Sequence, residues 1–122
     1  MIAAGPPRRV LELAAEGVFE LIVPETVLVE LRRVLELKLG LDPIAIARIV
    51  DLIREGASEV VADAGAVEAI SGDSADDRIL AAAAAAGAEA LISGDRKHLL
   101  PLGAHRGMRI VTPQAFIAEW LY

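Results

Sequence analysis

Five carboxylates stand where a small protein of mixed strands and helices would gather its chemistry: Glu30, Asp73, Asp76, Asp77 and Asp95. Each lies close to the end of an expected strand or the start of an expected helix. Side chains of this kind suit Mg²⁺ or Mn²⁺, which take carboxylate and water oxygens as ligands. Singly, each has a plainer use. Asp76, at the head of an alanine-rich helix, could serve only to cap its first turn. Glu30, beside an apolar stripe, could be an ordinary solvated acid. Convergence gives the set its weight: a helix following one strand, a helix head and a strand end can bring three acids to one sheet edge. His98 and His105 lack the two-histidine helical spacing of zinc proteases and are expected at the surface.

The elements that would position these acids follow from periodicity and breakers. Pro6 and Pro7 precede Val10, Leu11, Leu13 and Ala14, one face of a helix running to about Glu16, and Gly17 stops it. Phe19 to Val23 is a short apolar strand that Pro24, unable to donate to a ladder, brings to an end. A second helix starts at Pro24, buries Val27, Leu28, Leu31, Val34 and Leu35, and ends at Gly40. Asp42-Pro43 caps and opens a third, which carries Ile46, Ile49, Val50 and Ile53 to Gly56. Val60 and Val61 form a brief strand, and residues 63–73 carry no regular element.

Ser74 or Asp76 is expected to cap a helix over Asp77 to Ala86 that Gly87 closes, with Ala90 to Ser93 a strand ending at Gly94-Asp95. Arg96 to Leu100 forms one or two helical turns, Arg109 to Val111 a last strand, and Thr112-Pro113 starts a final helix to Leu121. Trp120 and Tyr122, at its end, are packing or interface anchors. The alternation of short apolar strands with helices predicts an α/β fold, a parallel sheet with helices on both faces in three layers. In such sheets active groups collect beyond the carboxyl ends of the strands.

Composition narrows the rest. At 122 residues the chain fits one domain with one core. Its 55% hydrophobic and 3% aromatic content means a core of Leu, Ile, Val and Ala. The absence of cysteine excludes disulfides, thiolate metal sites and cysteine nucleophiles. No apolar run reaches the roughly 18 residues of a membrane span, and no basic-then-apolar leader is present, so a soluble, cytoplasmic protein is expected. The formal charge of −6 opposes nucleic-acid binding by general attraction. It is compatible with nucleic acid only if part of it is an acidic cluster that cations neutralise.

The stretches Gly5-Pro6-Pro7-Arg8-Arg9-Val10-Leu11, Ile22-Val23-Pro24-Glu25 with Leu28-Val29-Glu30-Leu31, Asp73-Ser74-Ala75-Asp76-Asp77-Arg78-Ile79-Leu80 and Leu91-Ile92-Ser93-Gly94-Asp95 together resemble the PIN domains, in particular their toxin-like, VapC-type branch. No one of these motifs is specific, but their order and spacing cover nearly the whole chain. The resemblance implies that Glu30, Asp76 and Asp95 are the catalytic, metal-holding acids, with Asp73, Asp77 and Ser93 auxiliary. It implies one or two Mg²⁺ or Mn²⁺ ions, an RNA substrate and, for the toxin branch, an antitoxin protein partner. Arg8, Arg9, Arg32, Arg33, Arg78 and Arg96 are the candidate RNA contacts, since a guanidinium matches phosphate in a forked geometry.

The resemblance also has a gap. A PIN domain opens with a central strand ending in an Asp, whereas here Met1-Ile2-Ala3-Ala4 falls at the helix that should follow it. The first central strand and its acid therefore have no counterpart. A start placed too far downstream, a natural truncation and a rearranged or partner-supplied pairing all fit. Exposed strand edges would favour a homo-oligomer, and a thinned ligand set would impair cleavage. Two functions follow as alternatives: a Mg²⁺- or Mn²⁺-dependent endoribonuclease acting as a toxin, or an inactive PIN-like binding or scaffolding module. A phosphoacceptor or phosphatase-like use of Asp76, Asp77 or Asp95 is weaker, since no Asp follows an N-terminal strand.

Overall fold

The computed structural model describes residues 6–94 and 97–120. Helix α1 spans Pro6–Ala15, strand β1 Ile22–Pro24, helix α2 Glu25–Leu37, helix α3 Pro43–Gly56 and strand β2 Glu59–Val61. Helix α4 spans Ser74–Ala85 and strand β3 Ala90–Ile92. A 3-10 turn at Leu100–Leu102 leads to β4 (Ala104–His105), β5 (Met108–Val111) and helix α5 (Pro113–Trp120). The α/β class expected from the alternation holds.

The strands form two sheets among the described residues, where one parallel sheet was expected. β1 pairs in parallel with β2, placing Ile22 opposite Glu59 and Pro24 opposite Val61. β3 pairs in parallel with β5, and β5 pairs with β4 in an antiparallel hairpin. That hairpin was not anticipated, because its turn is Arg106-Gly107, both at positive φ, without the Asn or Asp that usually announces such a turn. The strand expected at Phe19 to Val23 is shifted to Ile22–Pro24. Phe19 instead sets its ring edge-on to Phe116 of α5, with centroids 4.9 Å apart.

Packing follows the predicted faces. Leu28, Leu31 and Leu35 of α2 meet Val23 of β1 and Val50 and Ile53 of α3. Leu80 and Ala83 of α4 meet Met108 and Ile110 of β5 together with Leu99. Val10, Val111 and Phe116 make a third cluster. Each fully buried Leu of this kind contributes about 1.5–3 kcal/mol.

Helix α4 connects the two sheets, since it packs on α2 and β1 and also buries its apolar face on β5. Its alanines permit the close approach, Ala82 and Ala83 being buried. The helix ends at Gly87 with φ of +76°, where the Ala88 amide donates to Ala83 and the Gly87 amide to Ala84. This paired closure needs the left-handed backbone that glycine adopts without a Cβ penalty. No helix among the described residues is long and apolar enough to cross a membrane.

Candidate functional site

The head of α4 is built by a run of short polar contacts. Neither Ser74 nor Asp76 is the cap; Asp73 is, its Oδ1 accepting from the Asp76 amide at 3.0 Å. The chain enters the helix in extended conformation at Asp73, and an Asp there satisfies an amide that the first turn leaves without a partner. Asp76 is thereby released from capping and lies in the first turn, half-buried.

Asp77, expected to be a flanking polar position, is buried at 8% exposure. One carboxylate oxygen accepts from the Ser71 amide at 2.8 Å, the Ser71 hydroxyl at 2.7 Å and the Ile70 amide at 3.1 Å. These donors, the Ser71 amide foremost, hold its carboxyl below the usual carboxylate range, against the opposing effect of burial. The Ser71 hydroxyl also lies 2.9 Å from the Asp73 carbonyl and 3.2 Å from the Asp73 amide. Asp77 therefore fixes Ser71, and Ser71 fixes the residue that caps the helix.

His98 departs most from expectation. Both histidines are half-buried where surface positions were expected. His98 Nδ1 stands 3.6 Å from Asp76 Oδ2. Ligand-capable atoms of Asp73, Asp76 and His98 all lie within 4.8 Å of one another, forming the metal-capable group found among the described residues. Two carboxylates and an imidazole make a donor set that a divalent ion of the Mn²⁺ class accepts, so the residues present fit a cation. The signal that could have found His98 was its place just beyond Gly94-Asp95; the missing two-histidine spacing argued only against a zinc-protease site.

The other expected site residues fall as follows. Glu30 is outside that group, its Oε2 accepting from Arg33 Nη2 at 3.0 Å on the same helix. Ser93 follows β3, half-buried, its amide donating to the Val111 carbonyl. Asp95 and Arg96 lie outside the described residues. Arg8 and Arg9 both pair with Glu12, and Arg32 is exposed while Arg78 is half-buried. Such exposed pairs hold roughly 0–1 kcal/mol, little enough to be exchanged for a phosphate. Sequence reading also missed Thr26, buried on α2, whose hydroxyl donates to Asp63 Oδ1 at 2.6 Å and ties α2 to the segment after β2.

An α/β fold with carboxylates and an imidazole gathered at one helix head defines a class of proteins able to hold a divalent cation. Residues 2–97 match the sequence model of the PIN domain, and the chain belongs to that family. The family is of nuclease type. No curated protein and no solved structure matches the chain.

Proposed function

We propose that this protein is a divalent-metal-dependent endoribonuclease of the PIN family, and that it forms the toxin half of a toxin-antitoxin pair. The observation that carries the reading is the convergence of Asp73, Asp76 and His98 within 4.8 Å at the head of α4 in a PIN-domain chain. Asp76 is the central metal-holding acid of this reading, and Glu30 and Asp95 are proposed as the further acids that the family resemblance assigns. A bound Mg²⁺ or Mn²⁺ supplies activation of a water for attack on the phosphodiester and shields the charge that grows on the phosphate.

The chain's own residues supply position. Asp73 caps the helix and so holds the Asp76 backbone, and its carboxylate has lone pairs beyond the one the amide takes. Ser71 and Asp77 hold Asp73 in turn. The exposed Arg8, Arg9 and Arg32 draw the RNA backbone toward an otherwise acidic protein. The molecule works in the cytoplasm as a homo-oligomer until its antitoxin covers it.

The test is RNA cleavage by the full chain in Mn²⁺, with Asp76→Asn beside it. Metal-dependent cleavage that EDTA stops and Asp76→Asn abolishes, at unchanged thermal stability, is the expected result. Metal binding without any cleavage would replace the enzyme with a binding module. Cleavage indifferent to both EDTA and Asp76→Asn would remove the proposed site.

A further inference from the structure

We infer that His98 is itself a metal ligand and that its imidazole turns this site toward Mn²⁺ and related transition ions and away from Mg²⁺. The inference rests on the reading of the chain as a divalent-metal nuclease and specifies which ion the site takes. An all-oxygen cluster would favour neither ion so strongly.

Distance is the first support. At 3.6 Å, His98 Nδ1 and Asp76 Oδ2 are beyond the reach of a direct hydrogen bond. Two ligand atoms each about 2.1 Å from one ion, and about 90–120° apart around it, stand about 3.0–3.6 Å from each other. The pair thus has the spacing of neighbouring ligands, and Asp73 falls within the same 4.8 Å span.

The ring is also held in place. Gly72 lies beside the Cδ2 edge of the His98 ring, where a Cβ would stand 3.8 Å away, while Nδ1, on the other side of the ring, faces Asp76. Gly72 has φ of +84°, a conformation that a side chain would strain, so this wall of the ring stays bare. The next residue, Leu99, is buried in the cluster under α4 and anchors the backbone that carries the imidazole. With its side chain 28% exposed, His98 is shielded enough to stay oriented and open enough for an ion to enter.

Donor chemistry decides the ion. Mg²⁺ prefers oxygen ligands and keeps several waters, gaining little from an aromatic nitrogen. Imidazole is a customary ligand of first-row transition ions, whose affinity for nitrogen sites rises along the series from Mn²⁺. One imidazole among carboxylates therefore raises affinity for Mn²⁺ while leaving that for Mg²⁺ nearly unchanged.

The experiment is a Mn²⁺ titration of the full chain followed by electron paramagnetic resonance, with Mg²⁺ as competitor, and pulsed spectra of the Mn²⁺-loaded protein. The expected wild-type result is retention of Mn²⁺ against about a tenfold excess of Mg²⁺, with a ¹⁴N coupling from a directly bound imidazole. Losing even an outer partner of a metal ligand costs roughly 10- to 100-fold in affinity, so His98→Ala should weaken Mn²⁺ binding at least tenfold, leave Mg²⁺ binding little changed and erase the ¹⁴N signal.

His98→Asp, which puts an oxygen donor back, should keep binding and shift preference toward Mg²⁺, and it carries the comparison if the alanine variant does not fold. An unchanged Mn²⁺-to-Mg²⁺ ratio in these variants, or no ¹⁴N coupling in the wild type, overturns the assignment of His98. If Asp76→Asn alone abolishes Mn²⁺ binding, the nuclease reading stands and only this inference falls. If the wild type takes up neither ion, both fall.

Discussion

Asp77 shows how a residue that looks catalytic can be structural. It lies beside Asp76 in the chain, yet its carboxylate is buried against three donors from residues 70 and 71 and cannot turn to the cluster without leaving them unpaired. Because these donors lower its folded pKa, the unfolded chain takes up the proton first on acidification. The stability it contributes is complete above the ordinary carboxylate range and is lost as pH falls through the lowered folded value. Asp77→Asn should therefore be less stable at neutral pH and show a flatter dependence of stability on pH below about pH 4. Urea midpoints from pH 7 to pH 3 for both proteins check this; parallel curves would remove the carboxylate from the account. The acids were legible as a set in the sequence, but which one caps, which one is buried and which one faces His98 was not. One-residue differences at a helix head change the direction of a side chain by about a quarter turn or more.

At the scale of elements, α4 holds the site, and its two ends are set by different physics. Asp73 starts it through a side-chain cap, and Gly87 ends it through a left-handed residue. Nothing lies within 4 Å of a Cβ built on Gly87, so Gly87→Ala adds no clash and should cost about 1–2 kcal/mol from backbone strain alone. Leu80, 1% exposed on the face turned to β5, is the opposite case: Leu80→Ala should cost about 2–5 kcal/mol by leaving a cavity. Chemical denaturation of the two variants gives both numbers, and a Gly87→Ala loss equal to that of Leu80→Ala would mean that α4 is not held as described. Helix faces and stops were readable because a 3.6-residue period and a glycine are local signals. The β4–β5 hairpin was not, since its strands are two and four residues long and its turn relies on an Arg at φ +50°.

For the whole molecule, α3 presents Ile44 and Leu52 to solvent at 69% and 67% exposure, and Leu37 and Leu39 at the end of α2 are as open. Ile44 and Leu52 are eight residues apart, about 80° around the axis, and so open on the same side of the helix. A second copy of the chain covering this stripe is the expected arrangement. Sedimentation at micromolar concentration should give a dimer or larger species, and Ile44→Glu with Leu52→Glu should shift it to monomer. A wild-type protein that sediments as a monomer across that range would count against the oligomer.

The sequence by itself determined the α/β class, the positions of the described α-helices to within a few residues, the apolar faces they bury and the family, because each depends on residue type and local spacing. Tertiary structure decided what depends on distance across the chain. It divided the described strands into two sheets bridged by α4, tied Thr26 to Asp63 across 37 positions, and brought His98 to Asp76 across 22. No periodicity encodes such a meeting. It follows from packing Leu99 and Leu80 into one cluster, which carries their polar neighbours together at the head of the helix.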